Sequence, residues 1–485
     1  MLMLVHLTIW NFLNLTSKFH LLLPASSGNK NLCRLLLSSI INDYPVPVLV
    51  NWDATETEDV FDQHIAKVQT TLDYLRQFPP ERENELVLVV DAFDVWFQLP
   101  PEVLLRRYFD MVKMGNERNE VTYGKETARE HGLKQTVFFG NDKACWPTEE
   151  DEHPGRLACL AVPQSTLPKY ALGPVDDEEQ PNAEKDNYHA RARWLNSGTV
   201  IGPVKDVRAF FEAVGKRVRE HNTVKSDQFY FARIWGWQEY ARMELMPNNT
   251  LPDKDKITPP NVTDVIQDLG KVEFNVGLDY ESSLFQSVGY YDPYLSWLKY
   301  DGSIQNGRPK DASIPYIEDF NLDDDIIASR PPLAVIKLPK KGKTAEYTKA
   351  LFNYAQNIRV KQWHELPLLT NLVTKRTPTL VHFMMEKGYR VKWWDRMWFA
   401  PFARELFRAS VLSTGLPISK KPINGTIWFN AEEPVVSHNF DNMERRRDGA
   451  WSDKGVWNGW NQLCQPYEDY VFTADQHDQY SNIGG

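Results

Sequence analysis

The feature that most constrains this chain is the run Leu86-Val87-Leu88-Val89-Val90, followed at once by Asp91-Ala92-Phe93-Asp94. Five consecutive apolar residues of these types suit a strand buried on both faces, which requires layers of structure above and below it. The surroundings agree, because short apolar segments alternate with helical patterns from about residue 18 to residue 290. That alternation predicts a layered α/β fold with a mostly parallel central sheet flanked by helices. Residues 21–24, 47–52, 137–140 and 194–202 read as strands, and 32–42 and 206–220 as helices. Between 58 and 78, Phe61, Ile65, Val68, Leu72 and Leu75 recur at helical spacing and predict an amphipathic helix on the sheet, stopped by Pro79-Pro80.

Outside this pattern the chain is less regular. Residues 149–189 are acidic and Pro-rich and read as a long surface loop, which a Cys145–Cys159 bridge would staple. The four cysteines allow three pairings if all are bridged, and none stands in a C-x-x-C pair, which argues against a zinc site of that kind. Trp146 is expected in the core. Periodicity weakens over 301–377, read as an insertion or small subdomain, and 378–410 is expected to return to the main domain of residues 18–300 with an isolated strand at 378–383. Residues 411–485 are expected to form an irregular C-terminal extension. The first 17 residues read as a remnant of a signal anchor, apolar but without a basic leading region and too short for a span of about 20 residues.

With 55 Lys and Arg against 65 Asp and Glu, the formal charge is −10, so no basic excess is available to neutralise a nucleic-acid backbone. Any phosphate must be met locally. Four N-x-[ST] sequons, at Asn14, Asn248, Asn261 and Asn424, point to the secretory pathway, with attachment to a membrane through the N-terminus.

In open α/β sheets, ligands bind outside the carboxyl ends of the strands, which is where Asp91 and Asp94 fall. Two carboxylates there could hold a divalent cation and, through it, a diphosphate. Most D-x-x-D pairs arise by chance or as a helix cap, and His382 read alone reads first as a core histidine. Asn196 reads equally as a turn former before Gly198; Asp227 also reads as a helix cap, a role that does not exclude catalysis, and Lys67 reads first as a solvated residue on its helix.

Five blocks in order carry a resemblance: Val89 to Val95, Cys145-Trp146-Pro147, Leu195-Asn196-Ser197-Gly198, Ser226-Asp227-Gln228-Phe229-Tyr230, and Leu278-Asp279-Tyr280 with Leu284-Phe285-Gln286. A sixth, His382 to Lys387, is similar to an H-x-N-G-x-K segment. Together they resemble GT-A glycosyltransferases, in particular the glycosyltransferase domain of procollagen lysyl hydroxylases, the procollagen galactosyltransferases and fungal relatives of these. The resemblance implies a GT-A-like nucleotide-sugar-binding fold and metal-dependent transfer of a hexose from a UDP-sugar to a hydroxyl of a glycan or protein acceptor. It implies Asp91, Asp94 and His382 as ligands of Mn²⁺ or another divalent cation. Phe93 would stack on uracil, Lys387 would pair with the diphosphate, and Lys67 is a further candidate for donor binding. Asn196, Asp227 and Gln228 would lie near the anomeric carbon, where negative partial charge suits an oxocarbenium-like transition state.

The chain also departs from that pattern. Met384 and Met385 stand where the family has Asn and Gly, and residues 287–381 separate Gln286 from His382, a longer spacing than that family suggests. A silent UDP- or sugar-binding module is therefore one alternative, and a two-carboxylate glycoside hydrolase, which would need no metal, is another.

Overall fold

The structure, a computed structural model, describes residues 15–52, 60–146, 157–173, 187–220, 224–246, 262–302, 320–332, 362–385, 387–411, 415–436 and 446–473. The chain opens with β1 (Leu15–Pro24), α1 (Lys30–Ile41), β2 (Val48–Val50), α2 (Val60–Leu75) and β3 (Leu86–Val90). Then come β4 (Val95–Phe97), α3 (Pro101–Tyr123), β5 (Val137–Asp142), β6 (Trp194–Pro203), α4 (Val204–Glu220) and α5 (Asp227–Glu244). Short strands follow, β7 (Val276–Leu278), β8 (Phe285–Ser287), β9 (Leu295–Leu298), β10 (Leu368–Asn371) and β11 (Leu380–His382). The last elements are α6 (Ala403–Val411), β12 (Thr426–Asn430), β13 (Gly449–Ser452) and β14 (Trp457–Gly459).

Among the described residues, nine strands form one sheet in the order β14-β13-β2-β1-β3-β6-β5-β7, with β12 paired to the first half of β1. The sheet is mixed. β2, β3 and β12 run parallel to β1, and β13 runs parallel to β2, but β6 is antiparallel to both β3 and β5, and β14 is antiparallel to β13. Two smaller sheets, β4-β11-β8 and β10-β9, lie off it.

All five residues of β3 are buried, as a strand covered on both faces must be. Leu86, Leu88 and Val90 enter one hydrophobic core with α1 and α3, while Val87 and Val89 enter a second core with α2, α4 and α5. The two-residue period of the strand thus feeds two layers. In α2, Val68, Leu72 and Leu75 are buried, as the periodicity predicts. Asn29 caps α1, accepting from Asn31 N–H at 2.8 Å and Leu32 N–H at 3.1 Å.

Four expectations need correction. The segment after residue 411 is no irregular extension: β12 and β13 pair with β1 and β2, and Cys464 is bonded to Cys33 of α1. The strand near 378–383 is not isolated, since β11 sits between β4 and β8. Of 301–377, the described parts are bound into the main body: β10 pairs with β9, Ile326, Trp363 and Leu366 join the core, and Arg107 of α3 bonds Asp323 and Asp325. Trp146 is 60% exposed, because the chain there has left β5 and runs over the surface. The Cys145–Cys159 bridge is present. Residues 1–14 lie outside the described residues, as do Asn248 and Asn261, and no described helix is long and apolar enough to cross a membrane.

Candidate metal centre and its cleft

The site forms where β3 ends. Asp91 leaves the strand with its N–H donating to Gly198 O at 2.9 Å, and the chain turns through Ala92 and Phe93 into β4. β4 pairs antiparallel with β11 so that His382 stands opposite Val95, and Phe383 N–H donates to Asp94 O at 2.7 Å. That register brings a histidine far along the chain against the two aspartates. One ligand atom from each of Asp91, Asp94 and His382 falls within a group whose members all lie within 4.8 Å of one another. His382 Nε2 is 3.5 Å from Asp94 Oδ1 and 4.0 Å from Asp91 Oδ2.

The donor set suits a divalent cation. Two carboxylates and an imidazole are ordinary ligands for first-row divalent ions. Asp94 Oδ1 is buried with only the long 3.5 Å contact to His382 Nε2 and no hydrogen bond of good geometry, a state that a cation would improve. Burial opposes protonation of His382, but Asp94 and Asp91 outweigh it and hold the imidazole pKa above its ordinary value. Asp94 in turn is held below the ordinary carboxylate value, His382 overcoming the effect of burial. Burial pushes Asp91 up, with Lys67 pulling against it and Asp94 and Asp227 adding to it.

Lys67, on α2, is buried rather than solvated. Its Nζ lies 2.6 Å from Asp91 Oδ1, 2.9 Å from Asp227 Oδ2 and 3.1 Å from Ser197 O. Those two carboxylates overcome burial and raise its pKa further, and the same pairing holds Asp227 below the ordinary carboxylate value. A local irregularity makes this possible. The β5–β6 register jumps between Phe139, opposite Val200, and Gly140, opposite Asn196, so Ser197, Gly198 and Thr199 bulge out of that pairing. Such bulges re-aim backbone beside functional sites. Here the bulge presents Ser197 O to Lys67 and lays Gly198 against His382.

Asp91, Asp94, Lys67 and Asp227 line an open cleft of about 220 Å³, together with Phe93 and Lys387. Its far wall comes from the ends of β1 and β2, through Ser26 and Asn51. Sequence reasoning missed two further lining residues, His64 and Arg390; the first lies one helical turn before Lys67, and the second three residues after Lys387. Asn196 and Gln228 are not among the lining residues. They are brought together beside the triad: Asn196 Nδ2 lies 3.4 Å from Gln228 Oε1 and 3.2 Å from Met384 Sδ. Gln228 Nε2 donates to Trp146 O at 3.1 Å. Beside Asn196, burial pushes the Asp142 carboxyl up to about 6.

Met385 has φ +60°, the left-handed conformation that favours glycine. It stands where the H-x-N-G-x-K pattern has its glycine, a residue that takes this conformation without steric cost.

No protein-family model matches the chain, and no curated protein matches it.

Proposed function

We propose that this protein is a metal-dependent glycosyltransferase of GT-A-like fold that moves a hexose from a UDP-sugar to an acceptor hydroxyl. The observation that carries the reading is the convergence of Asp91, Asp94 and buried His382 at the carboxyl end of β3, with both aspartates lining a cleft that also offers Phe93 and Lys387. Mn²⁺ or a similar ion held by that triad would supply positive charge to a departing diphosphate.

The chain's own residues would do the rest. Phe93 offers an aromatic face in the cleft for a planar base. Lys387 supplies an ammonium to the phosphates. Asp227, kept anionic by Lys67, is suited to stabilising positive charge on the sugar rather than to taking a proton, since a carboxylate held this strongly is a weak base. Asn196 and Gln228, bonded to each other outside the cleft, would position the Ser197–Gly198 turn beside the triad, Asn196 Oδ1 accepting from Gly198 N–H at 3.0 Å and Gln228 Oε1 from Ser197 N–H at 3.4 Å. Both disulfides suit an oxidising compartment and support a place in the secretory pathway.

The test is release of UDP from UDP-glucose and UDP-galactose by purified protein, with Mn²⁺ or with EDTA, beside an Asp91→Asn variant. Release that needs both the metal and Asp91 is the expected result. Metal-independent sugar release would favour a hydrolase. Absence of both UDP release and Mn²⁺-dependent UDP binding would sink the proposal.

A further inference from the structure

We infer that Arg390 is a second cation for the diphosphate portion of the ligand, working beside Lys387 and fixing the loop between Asp91 and Asp94. The inference rests on the reading of the cleft just given.

The argument begins with what Met384 and Met385 do not supply. Their side chains pack toward Gly289 and Asn196: a Cβ at Gly289 would lie 3.3 Å from Met384 Cε and 3.3 Å from Met385 Sδ, and Met384 Sδ accepts from Asn196. Neither lines the cleft. Polar contact to a diphosphate on this side of the cleft therefore falls to the next turn.

That turn, Tyr389–Lys392, carries Arg390, which lines the cleft with Lys387, Phe93 and Asp94. Its Nη1 donates to Phe93 O at 2.7 Å, the carbonyl between the two aspartates. A guanidinium is a planar fork of five N–H donors, and a single bond to Phe93 does not exhaust it. Its charge also acts on Asp94 and favours the ionised carboxylate there.

Arg390 is itself held in place. Its carbonyl accepts from Arg34 Nη1 at 2.7 Å, and Arg34, 4% exposed on α1, also donates through Nε to Tyr470 O at 3.1 Å. The fork is thus anchored at its backbone by one buried arginine and at one nitrogen by the loop it faces. A preformed donor pair of this kind recognises phosphate oxygens with little ordering cost.

The experiment is calorimetric titration with UDP, uridine and inorganic pyrophosphate, each with Mg²⁺ present, on wild type, Arg390→Met, Arg390→Lys and Lys387→Met. Arg390→Met is expected to weaken UDP and pyrophosphate about ten-fold, as for loss of a charged hydrogen bond, while uridine binding stays near wild type. Arg390→Lys, which keeps the charge and guards against a merely misfolded variant, should recover part of that loss. Unchanged UDP and pyrophosphate binding in Arg390→Met would overturn the inference. So would an equal loss for uridine, which would make Arg390 only a prop for Phe93. Wild type that binds pyrophosphate through Arg390 but not UDP would keep the anion site and sink the nucleotide reading; wild type that binds neither would overturn both.

Discussion

Gly198 presses directly on His382: a Cβ at residue 198 would stand 2.2 Å from the imidazole Cε1 and 2.7 Å from Nε2. It would also approach Asp91 Oδ2 to 3.0 Å. The β6 bulge therefore sets the position of the histidine as well as the strand that carries it. Gly198→Ala should displace the ring, cost about 1–3 kcal/mol through overpacking, and weaken Mn²⁺ binding by about ten-fold or more, as disturbed ligand orientation does. Chemical denaturation and a Mn²⁺ titration check both parts. Wild-type metal affinity in a stable variant would show that the triad does not bind as a unit.

Lys67 neutralises two carboxylates at once. Removing one partner of a buried ion pair costs about 3–5 kcal/mol, and because the Asp91 side chain is 34% exposed the lower end applies. Lys67→Met should therefore be destabilised by about 3 kcal/mol, and added Mn²⁺ should raise its melting temperature more than that of wild type, because a bound cation replaces the missing charge. Equal metal-induced shifts in the two proteins would count against a cation site next to Asp91.

Met385 holds a left-handed backbone at 55% exposure. That conformation costs a non-glycine residue about 1 kcal/mol or somewhat more. Met385→Gly should recover most of this, with little burial lost, while a β-branched Met385→Ile should lose stability. Urea unfolding of the three proteins orders them directly, and a Met385→Gly variant less stable than wild type would show that the Sδ contact at Gly289 outweighs the strain.

Buried His20 pairs with half-buried Glu85, His20 Nε2 lying 2.6 Å from Glu85 Oε2. Burial lowers the His20 pKa although Glu85 opposes it, and Glu85 is lowered because its bonds to His20 and Arg82 overcome burial. For both groups the unfolded chain binds more protons as pH falls. Stability is therefore fully present above about pH 6.5, the ordinary histidine value, and is lost progressively below it, with the Glu85 part going below about pH 4.5. His20→Gln should flatten the upper part of this profile. Urea unfolding at pH 7, 6 and 5 would reveal it, and an unchanged slope in the variant would assign the acid loss elsewhere.

Much of the site was legible because its key signals are local. An all-apolar strand must be covered on both sides, and β3 is; the carboxylates after it then fall at the ligand end of the sheet. His382 was reachable only through the ordered motifs, since nothing in the composition of β11 says that it lies beside β4. Lys67 looked like any lysine on an amphipathic helix because its partners, Asp91 and Asp227, come from other elements. Arg390 lay past the end of the pattern that named Lys387. β12 and β13 escaped notice because Thr426–Asn430 and Gly449–Ser452 are too short to show a period and owe their strand character to pairing with β1 and β2. The reversal of β6 is likewise a matter of tertiary pairing, invisible in a run of buried residues.

The pairing of Leu15 with Thr426, and the register that follows to Phe19 with Asn430, also governs how the chain is made. A ribosome delivers residues in order, so the first half of β1 emerges with one edge unpaired and keeps it so until residue 430 has left the exit tunnel. An exposed strand edge is a template for wrong partners. The Cys33–Cys464 bond, which spans 431 positions, can close only later still. The centre of this sheet is therefore completed late in synthesis, and a chaperone that shields the β1 edge until then would raise the yield of native protein.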